Sequence, residues 1–448
     1  MCFTASVILL KTLNYMKYYY LFILLISTHI CQSQSYTSYF TGDTTDVTPT
    51  PLGGTVLMGG ATENDSAMVW FLKRANGGDI VVIRASGADG YNDYFYTDLG
   101  IPVNSVETIV TTSLSAALDP YVEDKIRKAE GLWIAGGDQY NYVSFWKNNV
   151  IEEALNYLIN VKKAVVGGTS AGMAIQGQAY FDAANGSVVS ATALANPYDS
   201  EVSIGYNDFL SNPILQNVIT DTHYNSPDRK GRHVTFMARM MQDYGVNAKG
   251  IACNEYVSVC IDTNNIARVF GEYPAYPDEI AFFIQVNCVL PNTPELCTSG
   301  AALNWQRNNE ALKVYKVPGT MTGDYFFDLN DWVSGSGGTW ENWYVNNGLL
   351  NISFGTAPNC GPTMLSTTNT EKITIFPNPV IDELKIKCTG GIKSISMFQI
   401  DGKLVNHEIL AFNSQNHIIN MSKLSQGIYV LEFESVDGSD HQYKIVKQ

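Results

Sequence analysis

The chain has 448 residues, 45% of them hydrophobic and 16% charged, which gives room for two or three packed domains and excludes an intrinsically disordered protein. Its formal net charge of -15 excludes nucleic acid and anionic membrane as general partners, because both would repel the average surface. His-Glu-x-x-His is absent and no His or Cys spacing resembles a zinc site, so no metal and no cofactor is expected.

Lys17 precedes the apolar run Leu21-Phe22-Ile23-Leu24-Leu25-Ile26, and small and polar residues follow through Gln34. This is the layout of a secretory signal, expected over residues 1–34. The run is too short for a permanent anchor. Met16-Lys17 reads as the natural start, with residues 1–15 an extension from a misplaced start codon. Export permits disulfides, and six cysteines remain beyond the signal: Cys253, Cys260, Cys288, Cys297, Cys360 and Cys388. Cys288 and Cys297 are expected to pair around the loop holding Pro291 and Pro294; no other pair is assigned.

A Thr-rich stretch to Pro51 leads into the strand Thr55-Val56-Leu57-Met58, which ends at Gly59-Gly60. A helix capped by Asp65 runs to Arg74, followed by strands over 79–84 and 105–111. Asp119-Pro120 opens a helix to about Ala129 with a cap residue and a first-position proline. The strand Leu132-Trp133-Ile134-Ala135 stops at Gly136-Gly137-Asp138-Gln139, and Val143, Trp146, Val150, Ala154, Leu155 and Leu158 then recur at helical spacing. Strands alternating with amphipathic helices predict an α/β domain on a mostly parallel sheet flanked by helices, with ligands at the carboxyl edge of the strands.

The run from Ala164 to Gly168 breaks into Thr169-Ser170-Ala171-Gly172 and resumes with helix-compatible residues. Strand, sharp turn and helix around Gly-x-Ser-x-Gly is the pattern of a nucleophile elbow, with Ser170 at the strand end. A serine hydroxyl needs a base. His29 falls in the signal and His407, His417 and His441 near the C-terminus, which leaves His223 and His233. His233 lies within a helix predicted over 229–244 and reads as a surface or packing residue. His223 follows the strand Val218-Ile219-Thr220 and is the candidate base. Glu255, at the end of the apolar stretch Gly250-Ile251-Ala252-Cys253-Asn254, is the candidate orienting acid, with Asp221 as its rival. The amides of Ala171 and Gly137 are the candidate oxyanion donors. The order Ser, His, acid differs from that of α/β-hydrolases.

Residues 250–261 read as one strand, forming a hairpin with 266–270, and additional β structure extends from Pro274 to about Leu350. A polar linker is expected at 356–371. The alternation Leu384-Lys385-Ile386-Lys387 and the turn Asp401-Gly402 predict a small all-β sandwich over 372–448.

Four separated motifs, Gly136-Gly137-Asp138-Gln139, Gly168-Thr169-Ser170-Ala171-Gly172, Asp221-Thr222-His223-Tyr224 and the Glu255 strand, resemble the cyanophycinase and S51 serine peptidase family. The resemblance covers residues 53 to 290 within a catalytic domain expected over 35–355. It implies a class I glutamine amidotransferase-like fold, a Ser170, His223, Glu255 triad, and hydrolysis of β-linked aspartyl peptides. It further implies substrate contacts from Asp138, Gln139, Asp221, Thr222, Arg229 and Arg232. Two positions depart from the family pattern: Thr222 stands where glutamine is usual and Pro227 where an arginine is expected, which bears on cyanophycin specificity. The tail, with Phe376-Pro377-Asn378-Pro379, Asp401-Gly402-Lys403 and Leu424-Ser425-Gln426-Gly427-Ile428-Tyr429, resembles the type A sorting domain of the type IX secretion system of Bacteroidetes. That implies a secreted or cell-surface location, with a peptide substrate and the secretion machinery as partners; a homodimer is left open. A carbohydrate-binding sandwich is the rival reading of the tail.

Overall fold

Short runs of β-branched and other apolar residues with no polar face become strands buried on both sides. The computed structural model describes residues 35–359, 374–399, 403–435 and 440–448. The expected signal, most of the linker and the Asp401-Gly402 turn lie outside them. The described residues fall into two units, one ending at Pro358 and the other beginning at Asn359.

The first unit opens with β1 (Thr37–Gly42), β2 (Gly54–Met58), β3 (Asp79–Arg84), β4 (Ser105–Val110), β5 (Gly131–Ile134) and β6 (Val165–Thr169). β2 to β6 are mutually parallel in the spatial order β4-β3-β5-β6-β2, and β1 lies antiparallel on β4. Helices α1 (Asp65–Arg74), α2 (Pro120–Lys128), α3 (Gln139–Trp146) and α4 (Val150–Tyr157) are capped by the side chains of Asn64, Asp119, Asp138 and Asn149. α1 is thus capped one residue earlier than Asp65. The helical pattern predicted through 158 divides in two because Asn148 turns left-handed at φ 59° and Asn149 caps a new start.

After the single turn α5 (Ala171–Ala174) come β7 (Ala179–Phe181), α6 (Ser190–Ala195), β8 (Ile204–Tyr206), β9 (Val218–Asp221), α7 (Lys230–Tyr244) and β10 (Lys249–Cys253). Then follow β11 (Ser258–Ile261), β12 (Ile266–Tyr273), β13 (Ile280–Val286), β14 (Leu312–Pro318), β15 (Phe326–Asp328), β16 (Gly335–Ser336), β17 (Thr339–Asn346) and β18 (Leu349–Phe354). β11, β12, β15 and β16 extend the first sheet beyond β2 with antiparallel neighbours only. The second sheet has the order β18-β17-β14-β13-β10-β9-β7-β8, parallel only at β10-β9 and β9-β7. The expectation of a mostly parallel sheet is therefore corrected to two mixed sheets. Short turns such as Asp262–Asn265 and Asn347-Gly348 can only return a strand antiparallel, because a parallel return needs a crossover of a dozen or more residues.

The stretch read as one strand over 250–261 is two strands in different sheets, joined across Asn254–Val257 with Tyr256 left-handed at φ 66°. The expected Cys288–Cys297 pair is not made: Cys297 is a free, buried thiol, as are Cys253 and Cys260, and Cys288 is in a different disulfide.

The second unit is all-β. β19 (Thr374–Phe376), β20 (Glu383–Gln399), β21 (Leu404–Asn420), β22 (Gly427–Ser435) and β23 (Asp440–Lys447) pair antiparallel as one five-stranded sheet. The predicted alternation holds: Leu384 and Ile386 join a core with Met397, Leu431 and Ile445, while Lys385 and Lys387 are exposed.

Candidate active site

β5, β6 and β2 are adjacent and parallel, so their carboxyl ends share one edge. Ser170 is the residue between the end of β6 and the start of α5, at φ 52° and ψ -116°. Such a conformation is strained for a residue with a side chain and is held by its surroundings. A side chain at Gly172 would place Cβ 2.1 Å from Ile134 O. The glycine after the serine is therefore a close-packing requirement.

The second sheet brings the other two groups. His223 follows β9 and Glu255 follows β10, and those strands are parallel neighbours, so both side chains rise from one edge. His223 Nε2 lies 2.8 Å from Ser170 Oγ, and His223 Nδ1 lies 2.6 Å from Glu255 Oε1. An ionised carboxylate can only accept, so Nδ1 carries the proton and Nε2 is left to accept from the serine hydroxyl. The two sheets are joined at this point by backbone bonds through Gly59-Gly60: His223 N to Gly59 O at 2.7 Å, Tyr256 N to Gly60 O at 3.0 Å and Gly59 N to Val257 O at 2.9 Å. Gly60 has φ +112°, and a Cβ there would stand 2.4 Å from the His223 ring.

The Gly136-Gly137 turn lies beside the serine, since a Cβ on Gly136 would be 3.6 Å from Ser170 Cβ. Tyr142 Oη donates to both Ala135 O and Gly136 O at 2.9 Å, which fixes the turn from α3. Ala171 N belongs to the first turn of α5, where amides lack intrahelical acceptors. Asp138 is exposed and caps α3 through Tyr140 N at 2.9 Å; Gln139 opens that helix.

Asp221, Thr222 and Arg232, from which substrate contacts are expected, are all buried. Arg232 Nη2 and Nε donate to Asp221 Oδ1 and Oδ2 at 2.5 and 2.9 Å, and Arg232 Nη1 donates to Ser187 Oγ and Val188 O at 3.2 Å. Burial acts to raise the Asp221 carboxyl, but the Arg232 guanidinium outweighs it and holds the group below its usual range. With both oxygens engaged by Arg232, Asp221 is not the partner of His223. Arg229 is half-buried and donates from Nη1 to Thr222 O at 3.0 Å. His233 is fully buried, with Nε2 against Ile219 O and Nδ1 against Tyr224 Oη, both at 3.2 Å; burial pushes it down to about 4. Among the described residues no group of three or more His, Cys, Asp or Glu is placed to hold a metal ion.

Sequence reading alone misses Gly59-Gly60 and Tyr142 as site residues. The glycine pair carries a signal, being a third strand-end pair on a parallel run, whereas Tyr142 carries none beyond its place in a helix.

Residues 374–448 match the family model described as the secretion system C-terminal sorting domain. The protein is accordingly exported, to be secreted or displayed at the cell surface. No curated protein matches the sequence. Among solved structures, a peptidase from an acI-B1 actinobacterium is 12% identical, with 50% of this chain and 89% of that chain covered and a TM-score of 0.36. A Listeria monocytogenes EGD-e protein assigned to peptidase E is 16% identical, with 49% of this chain and 98% of that chain covered and a TM-score of 0.30.

Proposed function

We propose that this protein is an exported serine peptidase in which Ser170 is the nucleophile, His223 the base and Glu255 the group that orients it. Ser170 Oγ attacks a carbonyl carbon as its proton passes to His223 Nε2, and the resulting oxyanion is held by the amides of Ala171 and Gly137. The same proton goes to the leaving amine as the C–N bond breaks. Water, deprotonated by His223, then releases the acyl group from Ser170. The observation that carries this reading is the unbroken relay of 2.8 and 2.6 Å on a serine in strained backbone.

The parallel run β4-β3-β5-β6-β2 is compatible with the amidotransferase-like fold that the family resemblance implies. Hydrolysis of β-linked aspartyl peptides is the finer form of the proposal, with Asp138, Gln139 and Arg229 as its substrate contacts. Burial of Arg232 favours a specificity other than cyanophycin itself. The test is labelling by a fluorophosphonate, wild type beside Ser170→Ala, followed by incubation with isoaspartyl dipeptides, cyanophycin and a mixed peptide library. Labelling confined to the wild type and cleavage of at least one peptide substrate are expected. Equal labelling of both proteins would end the proposal.

A further inference from the structure

The second sheet ends at β18, which pairs with β17 on one side and with no other described strand. Val345 exchanges both of its backbone bonds with Trp305 at 2.8 Å, and Gly355 N donates to Trp340 O at 3.0 Å. Because bonding direction alternates along an antiparallel strand, Leu350, Ile352 and Phe354, which stand opposite Val345, Trp343 and Glu341, aim their N–H and C=O groups away from β17. Their side chains share the face on which Val345 and Trp343 enter the core, yet Ile352 is 46% and Phe354 85% exposed. Asn351 and Ser353 take the other face.

An open edge is ordinarily blunted by a lysine, a proline or a bulge. β18 has none of these: its register on β17 is unbroken, and no charged residue stands between Glu341 and Glu371. In a chain of net charge -15 two copies repel over most of their surfaces, and an uncharged strip is where they can approach. The strand is also complementary to itself. When two copies run antiparallel about Ile352, Leu350 lies opposite Phe354 of the partner subunit and Ile352 opposite Ile352 of the partner subunit. The outward-bonding residues then pair with one another and the apolar side chains share one face, while Asn351 meets Ser353 of the partner subunit on the other. A slip of one residue would lose both matches.

We propose that β18 is a dimerisation edge, which joins a second copy of this chain across a two-fold axis at Ile352 and continues the second sheet from one protomer into the other. This pairing does not depend on the peptidase reading. The experiment is sedimentation equilibrium of the exported protein from about 0.1 to about 100 μM, wild type beside Ile352→Lys. The wild type is expected to pass reversibly from monomer to dimer. Ile352→Lys sets two like charges face to face at the axis and is expected to weaken the dimer by about a hundredfold or more, with the melting temperature unchanged because the side chain is exposed in the single copy. Ile352→Cys is expected to cross-link to its own copy on oxidation, since paired Cα atoms stand about 5.5 Å apart, within reach of a disulfide. Asn351→Cys, which has no identical residue opposite it, is expected to cross-link far more slowly. A wild type that stays monomeric throughout overturns the proposal, as does a dimer that Ile352→Lys does not weaken and Ile352→Cys does not cross-link. A monomer whose melting temperature falls with Ile352→Lys overturns it too, by showing that the chain covers its own edge.

Discussion

The two histidines of the first unit meet opposite environments. His223 is partly open and joins Ser170 to Glu255, whereas His233 is sealed between Tyr224 and the Ile219 carbonyl and pushed down from 6.5 to about 4 by burial. The folded protein holds His233 neutral while the unfolded chain takes up a proton as pH falls. Because the folded value lies below the unfolded one, this contribution is complete above about pH 6.5 and is lost on the way down to about pH 4. The gap is worth on the order of 3 kcal/mol. Urea unfolding at about pH 7.5 and about pH 5 should therefore show wild type losing on the order of 2 kcal/mol more than His233→Gln. Equal losses would mean that the ring is not held neutral. The two acids near His223 separate in the same way. Glu255→Gln is expected to lower kcat by about 10^3 to 10^4 with little change in KM, since it loses the orienting charge. Asp221→Asn leaves Arg232 buried without its counter-ion, and a stability loss of about 3–5 kcal/mol is the expected result. Kinetics and melting curves of the two variants distinguish these outcomes. Ser170 and His223 are legible in the sequence because an elbow pattern and a shortage of histidines leave little choice. Arg232 is not, because whether an arginine early in a helix faces solvent or an aspartate depends on how α7 packs on β9.

At the level of elements, the strands of the parallel run and their glycine ends can be read from the chain because a strand buried on both faces leaves an uninterrupted apolar signal. The crossing between sheets cannot. Residues 250–253 and 258–261 are equally apolar, and nothing local marks Asn254–Val257 as the passage from one sheet to the other; only the pairing of β10 with β9 and of β11 with β2 does. That passage sets Glu255 opposite His223, and Gly59-Gly60 is the seam along which the two sheets meet. Gly60→Ala tests the seam, because a methyl there meets the imidazole at 2.4 Å on a backbone at φ +112°. Displacement of the ring from Ser170 should cut the fluorophosphonate labelling rate by about 10^2 or more. Circular dichroism should still report a folded protein. A Gly60→Ala protein that labels at the wild-type rate would show that the ring does not depend on this contact.

At the level of the whole molecule, chemistry and address reside in different units. The relay is built entirely from β2, β6, β9 and β10 and the turns that follow them, all within the unit that ends at Pro358. The sorting unit has its own sheet and its own core around Leu384, Ile386, Met397, Leu431 and Ile445. A domain with a separate core can be lost without unfolding its neighbour. Removing 374–448 should therefore leave a protein that a fluorophosphonate still labels at Ser170, with a first-unit melting transition within a few degrees of that in the full chain. In an exporting host the same deletion should hold the protein inside the outer membrane, where fractionation and labelling would find it active. If the truncated protein reached the medium, the tail would not be its address; if it folded but lost labelling, the first unit would need the tail to complete its site.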